Sequence, residues 1–317
     1  MKILLVLLVL SVSAFAQQHH LGNVSNVASV SCPSGFPSGA DCSSATVSCP
    51  KVADIGVVWG ITGTPRAGTI IYINGNGGTS VGGDEYAQTY TAAGFSLIQI
   101  IFDSDWEAPG GNLLNSACRP STLVDYFHRQ TTGAYCAQGD SAGSGAIGYG
   151  MAWYGLAPEL NNVEFTVGPV FSDVATGCKV PHAPAVKVIP TDGVSFMDNP
   201  WYNLEWRSVS SWTNTACLPP NGSSPADLTK ESAQSILQSG ATLSYPNTSI
   251  AAWDCNNGLN PSAAQSYLFL QQVTTPWTLT ALSGCTGAEG VYTGVTPQGV
   301  SATVATADHM IAHCVKK

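Results

Sequence analysis

From Asp54 onward the sequence alternates between short apolar runs rich in β-branched residues and segments that look helical and stop at glycine. The run "TIIYI" is followed by "DEYAQTYTAAG", then "FSLIQIIF", "PSTLVDYFHRQTTG", "AYCAQGD", "SAGSGAIGYGMAWYGL" and "VEFTVGPVF". Consecutive strand-helix-strand units of this kind are joined by right-handed crossovers, which make the strands parallel and place helices on both faces. The alternation therefore predicts an open, doubly wound, mostly parallel α/β sheet.

We predict one large domain over residues 54–317, interrupted by an insertion at 174–222. The insertion breaks the alternation and carries Trp201, Trp206 and Trp212 between two cysteines, Cys178 and Cys217. We expect it to form a cap, closed at its base by a disulfide between these cysteines. Tryptophans of a cap pack into its interior more often than they bind a ligand, so they do not by themselves identify a substrate.

The N-terminus reads as a secretory signal peptide over residues 1–16, with a lysine, an apolar run and small residues before the expected cleavage site. The run is too short to span a bilayer comfortably. Residues 17–53 are rich in Ser, Pro and Cys and lack helical periodicity, and we predict an irregular segment held to the main domain. The protein is therefore expected to be secreted and free of membrane after cleavage.

All ten cysteines lie after the expected cleavage site. An even number in an oxidising compartment favours disulfides. The sequence has no C-x-x-C pair, which argues against a metal site or thiol redox chemistry. We expect neither a metal nor an organic cofactor.

The formal net charge is −9, and only 10% of the residues are charged. A negative protein repels nucleic acid and anionic membranes through its long-range field, so neither is an expected partner. We expect the protein to act as a monomer.

Two segments match G-x-S-x-G, the turn that presents a nucleophilic serine between a strand and a helix. Ser141 directly follows a predicted strand, and the small residues after it allow the helix to pack closely. Ser80 instead follows a flexible glycine-rich loop, so we predict that Ser141 is the nucleophile. The N–H groups of Ala142, Gly77 and Gly78 are predicted to bind the oxyanion of a tetrahedral intermediate.

A serine nucleophile needs a histidine as general base and a carboxylate that orients it. His309 follows the last predicted strand, in what we expect to be a loop, and His313 is the alternative on the helix that this loop begins. Asp254 ends a predicted strand and is the expected acid, with Asp173 as the alternative.

Two further features surround these residues. Cys255 adjoins Asp254, and its pairing with Cys314 would link the acid to His309, although Cys285 is an equal candidate partner for either cysteine. Trp106 follows "LIQIIF" at the same predicted sheet edge and is a candidate wall of the substrate pocket, with a surface cluster as the alternative.

The elbow at 139–143, the glycine loop at 75–78 and the order Ser, Asp, His resemble the α/β-hydrolase fold superfamily over residues 54–317. The resemblance implies a secreted serine hydrolase that cleaves carboxylic esters through an acyl-enzyme, without a cofactor. Candidate substrates are external esters, including a polyester or an acylated plant polysaccharide. A non-catalytic extracellular binding protein and a serine peptidase on the same fold are the alternatives.

Overall fold

The structure is a computed structural model that describes residues 19–107, 113–178, 184–200, 225–256, 262–286 and 290–316. The predicted signal peptide at 1–16 lies outside the described residues. So do more than half of the predicted cap at 174–222, its three tryptophans and Cys217, the predicted partner of Cys178.

Nine of the described strands form one sheet, and two short strands form a separate antiparallel pair. The strands are β1 (Asn23–Ser29), β2 (Asp41–Ser48), β3 (Ile55–Thr62), β4 (Gly68–Ile73), β5 (Phe95–Phe102), β6 (Ala134–Asp140), β7 (Asn162–Thr166), β8 (Val186–Val188), β9 (Phe196–Asp198), β10 (Ser249–Cys255) and β11 (Trp277–Leu282). The helices are α1 (Asp84–Ala92), α2 (Leu113–Ser116), α3 (Cys118–His128), α4 (Ala142–Trp153), α5 (Val174–Gly177), α6 (Pro225–Ser232), α7 (Ser262–Leu270) and α8 (Ala302–His313).

The large sheet has the order β1-β2-β3-β5-β4-β6-β7-β10-β11. Strands β1, β2 and β3 are antiparallel to their neighbours, and all pairs from β5 to β11 along this order are parallel. The predicted mostly parallel α/β sheet is therefore confirmed. The small β8–β9 pair lies within the segment predicted as a cap.

Helices cover both faces of the sheet because successive side chains of a strand point to opposite sides. On one face, Ile70 and Tyr72 of β4 pack with Tyr86 of α1 and Met310 of α8. On the other face, the side chains that alternate with these join the larger core formed by α3, α4 and α7. The sheet is thus buried on both sides, as parallel sheets require.

The prediction of an irregular segment at 17–53 is wrong, because this segment supplies β1 and β2. Strand β2 pairs with β3 from Asp41 to Val47 and buries Ala45 and Val47 against the core. Its sequence "DCSSATVS" alternates only weakly in hydropathy, since its buried residues, Cys42, Ala45 and Val47, are not evenly spaced. Register with β3, which is a long-range contact, provides the order that periodicity did not indicate.

Four disulfides join described cysteines: Cys32–Cys42, Cys49–Cys118, Cys136–Cys314 and Cys255–Cys285. The second holds the N-terminal strands to α3, in agreement with the expected attachment of this segment. Of the two partners left open for Cys255, the structure selects Cys285. The Cys136–Cys314 bond instead ties the end of α8 to β6.

None of the helices in the described ranges combines the length and the apolar character that crossing a membrane requires.

Candidate active site

Ser141 alone connects β6, which ends at Asp140, to α4, which begins at Ala142. Its φ of 48° and ψ of −115° lie in a region that L-residues other than glycine rarely adopt. Such strained backbone is found mainly at functional sites, where the surrounding structure enforces it. The turn has the geometry of a nucleophile elbow, in which the serine side chain stands at the carboxyl edge of the sheet.

The glycines beside Ser141 allow this tight turn. A Cβ atom added to Gly143 would lie 2.0 Å from the carbonyl oxygen of Ile73, and one added to Gly139 would lie 2.6 Å from the backbone of Gly143. The helix therefore approaches the strands more closely than any side chain would permit. The Ser141 N–H donates to the carbonyl oxygen of Thr166 at 2.9 Å, which fixes the elbow to β7.

The hydroxyl of Ser141 makes no hydrogen bond with any described residue. The residue is 2% exposed, so its hydroxyl lies in a protected position at the end of the sheet. Ser144, one turn into the helix, behaves differently: its hydroxyl lies 2.6 Å from the carbonyl oxygen of Gly139 and 2.8 Å from that of Thr166. Ser144 thus stabilises the turn, whereas Ser141 is left available for chemistry.

The predicted oxyanion loop lies next to Ser141. It forms a 3-10 turn over Asn76–Gly78, and a Cβ added to Gly75 would lie 3.0 Å from that of Ser141. The Gly78 N–H donates to the carbonyl oxygen of Gly75 at 2.9 Å, so the turn itself uses this predicted oxyanion donor.

Two of the predicted donors keep unoccupied N–H groups. Within the described part of the chain, the N–H groups of Gly77 and Ala142 have no acceptor. Ala142 is the first residue of α4, so its N–H lies at the positive end of the helix dipole. These are the groups that can bind a developing negative charge.

Trp106 lies behind this loop and is fully buried. Its backbone N–H donates to the carbonyl oxygen of Gly77 at 2.9 Å, and a Cβ added to Gly78 would lie 3.7 Å from its indole ring. A side chain with no exposed surface neither lines an open pocket nor belongs to a surface cluster. The structure places Trp106 as a support for the glycine loop.

His309 lies within α8, so the prediction of a loop at this position is wrong. The Nδ1 atom lies 2.9 Å from Oε1 of Glu164. The ring packs edge-on against Trp253, with 5.8 Å between centroids, and stacks on His313 at 3.9 Å. Both candidate histidines are therefore neighbours on one helix.

Glu164, which sequence reasoning missed, is a fully buried carboxylate in the middle of β7. Besides His309 it contacts the indole N–H of Trp253 at 2.9 Å and the amide of Asn162 at 3.2 Å. Burial raises the pKa of Glu164, and these hydrogen bonds oppose the rise. The sequence contains one signal for Glu164, which is the single acidic residue in the apolar run "VEFTV". Because a buried carboxylate requires partners, an acid at this position indicates a polar contact within the core.

Asp254 faces the opposite side of the sheet from this pair. It follows Trp253 in β10, and adjacent strand residues alternate between faces. Its carboxylate lies near the hydroxyls of Ser262 and Ser266 of α7, and burial raises its pKa to about 7. The predicted pairing of Asp254 with His309 is not formed.

The alternative acid, Asp173, caps a short helix and does not orient His309 either. Its carboxylate accepts from the N–H of Thr176 at 3.0 Å at the start of α5. Ser80, the alternative nucleophile, is exposed and binds the amide of Asn74 at 3.0 Å.

The structure brings Ser141, Ala142 and the glycine loop together and leaves His309 apart. Glu164 pairs with Gln138, three residues before Ser141. At about 3.3 Å per residue, the backbone of Glu164 lies roughly 10 Å below the elbow. Among the described residues no contact joins Ser141 to His309.

No group of three or more His, Cys, Asp or Glu side chains that could hold a metal occurs in the described ranges. Of the other histidines, His128 pairs with Glu159 at 3.5 Å and His19 packs on Trp153. His182 lies outside the described residues.

The sheet order, the flanking helices and the elbow at Ser141 define the class: the chain has the α/β-hydrolase fold. No protein-family model matches the sequence, and no curated protein matches it.

Solved structures of known esterases share the fold. A bacterial heroin esterase is 13% identical, with a TM-score of 0.51 over 90% of this chain and 87% of that one. An esterase from Pyrobaculum calidifontis is 11% identical, with a TM-score of 0.51 over 92% and 85% of the two chains. Acetyl xylan esterase 1 from a Thermoanaerobacterium species is 10% identical, with a TM-score of 0.50 over 81% of each chain. At these identities the likeness concerns the fold.

Proposed function

We propose that this protein hydrolyses carboxylic esters and that Ser141 is its nucleophile. The observation that carries the proposal is the strained backbone of Ser141 at the single-residue connection between β6 and α4, with its hydroxyl free of hydrogen bonds to described residues. A strained serine at the carboxyl edge of a parallel sheet, beside a helix N-terminus and a glycine loop, suits acyl transfer.

The reaction follows from the groups at this edge. The Oγ atom of Ser141 attacks the ester carbonyl carbon while its proton passes to a general base, and a tetrahedral oxyanion forms. The N–H groups of Ala142 and Gly77 bind that oxygen. The intermediate collapses, and the base returns the proton to the leaving oxygen, which departs as the alcohol. Water then attacks the acyl-serine with the same base, a second tetrahedral intermediate forms, and its collapse releases the carboxylic acid and the reprotonated Ser141.

We propose His309 as the general base, with Glu164 in the orienting role that the sequence suggested for Asp254. The support is the 2.9 Å contact between Nδ1 and the buried carboxylate, which leaves Nε2 as the proton acceptor. Because the ring makes no contact with Ser141, proton transfer requires an intervening water or a shift of α8.

The substrate is proposed to be an ester outside the cell. Four disulfides among the described cysteines are typical of proteins from oxidising compartments, and the N-terminal sequence has signal-peptide features. A polyester or an acylated polysaccharide fits such a location. We propose that the enzyme works as a monomer without a cofactor.

The nucleophile is tested by labelling the purified protein with a fluorophosphonate probe and locating the adduct by peptide mass spectrometry. We expect one adduct, on Ser141, and its loss in Ser141→Ala. Ser80→Ala is the matched control, because this exposed serine satisfies the same motif, and it should label normally. A panel of p-nitrophenyl esters and aminoacyl anilides then identifies the bond cleaved, and faster anilide cleavage would replace the esterase by a peptidase.

A non-catalytic binding protein is the second candidate, and it is favoured by the absence of a contact between Ser141 and any imidazole of the described residues. It predicts neither labelling nor turnover. His309→Ala separates the two parts of the enzyme proposal: loss of turnover supports His309 as the base. Full turnover would assign the base elsewhere, with His182→Ala as the next variant, and would leave the role of Ser141 intact.

A further inference from the structure

A buried guanidinium lies behind the glycine loop. Arg119 of α3 is 1% exposed, and its Nη1 group donates to the carbonyl oxygen of Trp106 at 2.8 Å. Its Nη2 group donates to the carbonyl oxygen of Ala53 at 2.7 Å. Burial lowers the pKa of Arg119, which reflects the cost of removing a cation from water. Hydrogen bonds from a charged donor are among the stronger ones, so this group holds both backbone segments firmly.

The segment that Arg119 holds in turn fixes the glycine loop. The backbone N–H of Trp106 donates to the carbonyl oxygen of Gly77, and the backbone N–H of Gly78 donates to the carbonyl oxygen of Gly75, both at 2.9 Å. These two bonds pin opposite ends of the peptide that joins Gly77 to Gly78. Since a peptide unit is planar, both bonds together fix the orientation of that plane. The Gly77 N–H belongs to the preceding peptide, which is joined to this plane at the Cα atom of Gly77, where φ is 70°.

Close packing keeps the loop in this position. Gly77 and Gly78 have φ values of 70° and 72°, and a Cβ added to Gly77 would lie 2.6 Å from that of Asp105. The loop therefore rests directly on the segment that Arg119 holds. A shift of this segment would move the Gly77 N–H, which has no acceptor among the described residues and lies in the loop that touches Ser141.

We propose that Arg119 is a positioning residue for ester hydrolysis: acting through the backbone of Trp106, it sets the Gly77 N–H at the position of the oxyanion. This role rests on the proposed function. The transition state carries the oxyanion and the bound ester does not, so the effect should fall on kcat and leave KM nearly unchanged.

The test compares Arg119→Met with Arg129→Met, a matched arginine at the exposed end of the same helix. Rates are measured on a p-nitrophenyl ester and divided by the number of serines that the fluorophosphonate labels, so that misfolded protein is not counted. Loss of one oxyanion donor costs about 10²–10³ in turnover, and a misplaced donor should cost about 10–100-fold. We expect this loss in kcat for Arg119→Met, with KM within about 3-fold and no change in Arg129→Met.

Arg119→Lys keeps the charge but cannot bridge both carbonyl groups, so we expect it to recover part of the lost kcat. If Arg119→Met does not fold, Arg119→Lys decides: a kcat reduced about 3–10-fold supports the proposal, and an unchanged kcat overturns it. Unchanged kcat per labelled serine in Arg119→Met, or an equal loss in Arg129→Met, also overturns it. Ester hydrolysis that survives Ser141→Ala would instead remove the proposed function itself.

Discussion

The elbow at Ser141 and the buried pair of His309 and Glu164 are built in opposite ways. The elbow is local: one residue joins β6 to α4, and glycines within a few positions make room for it. The pair is long-range, since it joins a strand to a helix 145 positions later in the chain. A strained turn can therefore be found from a short pattern, whereas the partner of a buried histidine depends on how the whole sheet is assembled.

The largest expected effect comes from closing the space at the elbow. In Gly143→Ala the new Cβ would lie 2.0 Å from the carbonyl oxygen of Ile73, and both atoms belong to backbone that cannot yield easily. We expect a loss of about 3 kcal/mol or more in unfolding free energy, measured by urea denaturation, and loss of fluorophosphonate labelling.

Gly193→Ala is the control for that change, because its new Cβ would meet only ordinary contacts of 3.4 Å or more. It should leave labelling intact and stability nearly so. Normal stability in Gly143→Ala would show that α4 stands farther from β4 than the structure places it.

The sequence predicted the parts of this molecule that local patterns determine. Strong alternation of apolar and helical segments gave the parallel sheet, and the spacing of small residues around Ser141 gave the elbow. Strand β1 was missed because its residues are largely exposed, and β2 because its buried residues, Cys42, Ala45 and Val47, do not alternate regularly with polar ones. Strand β2 is ordered by pairing with β3, and β1 by pairing with β2, and no local pattern contains these contacts.

The carboxylate that contacts His309 was beyond local patterns for a similar reason. Asp254 and Trp253 are neighbours in sequence, but strand geometry sends them to opposite faces, and α8 covers the face of Trp253. Which face a histidine far along the chain will reach depends on the path of the last helix. A strand-end aspartate therefore looked suitable although Glu164 makes the contact.

Of the two buried acids, Asp254 should make the stability of the protein depend on pH. The pKa of Asp254 rises from 3.8 to about 7, so the folded protein keeps a proton that the unfolded chain has lost. The contribution of Asp254 to the unfolding free energy is complete below about pH 4 and is lost as the pH rises to about 7. Asp254→Asn removes this dependence. The unfolding free energy of the variant minus that of the parent should therefore be about 2–4 kcal/mol larger at pH 8 than at pH 4. Urea denaturation across this pH range measures the difference.

The two buried acids should also differ in their effect on kcat. Because Asp254 faces away from His309, Asp254→Asn should keep kcat within about 3-fold, whereas Glu164→Gln should lower it by about 10-fold or more. If Asp254→Asn folds but is inactive, the role in proton transfer belongs to Asp254 and not to Glu164.

The smallest effect concerns the backbone strain at Ser141. Glycine adopts a φ of 48° and a ψ of −115° far more easily than serine or alanine, and strain of this kind costs on the order of 1–3 kcal/mol. The greater chain entropy of glycine in the unfolded state offsets part of the gain. We expect the unfolding free energy of Ser141→Gly to be about 1 kcal/mol larger than that of Ser141→Ala, and we expect both variants to be inactive. Equal stability of the two would mean that the elbow holds no strain, and that the position of Ser141 reflects ordinary turn geometry instead of a backbone constrained for catalysis.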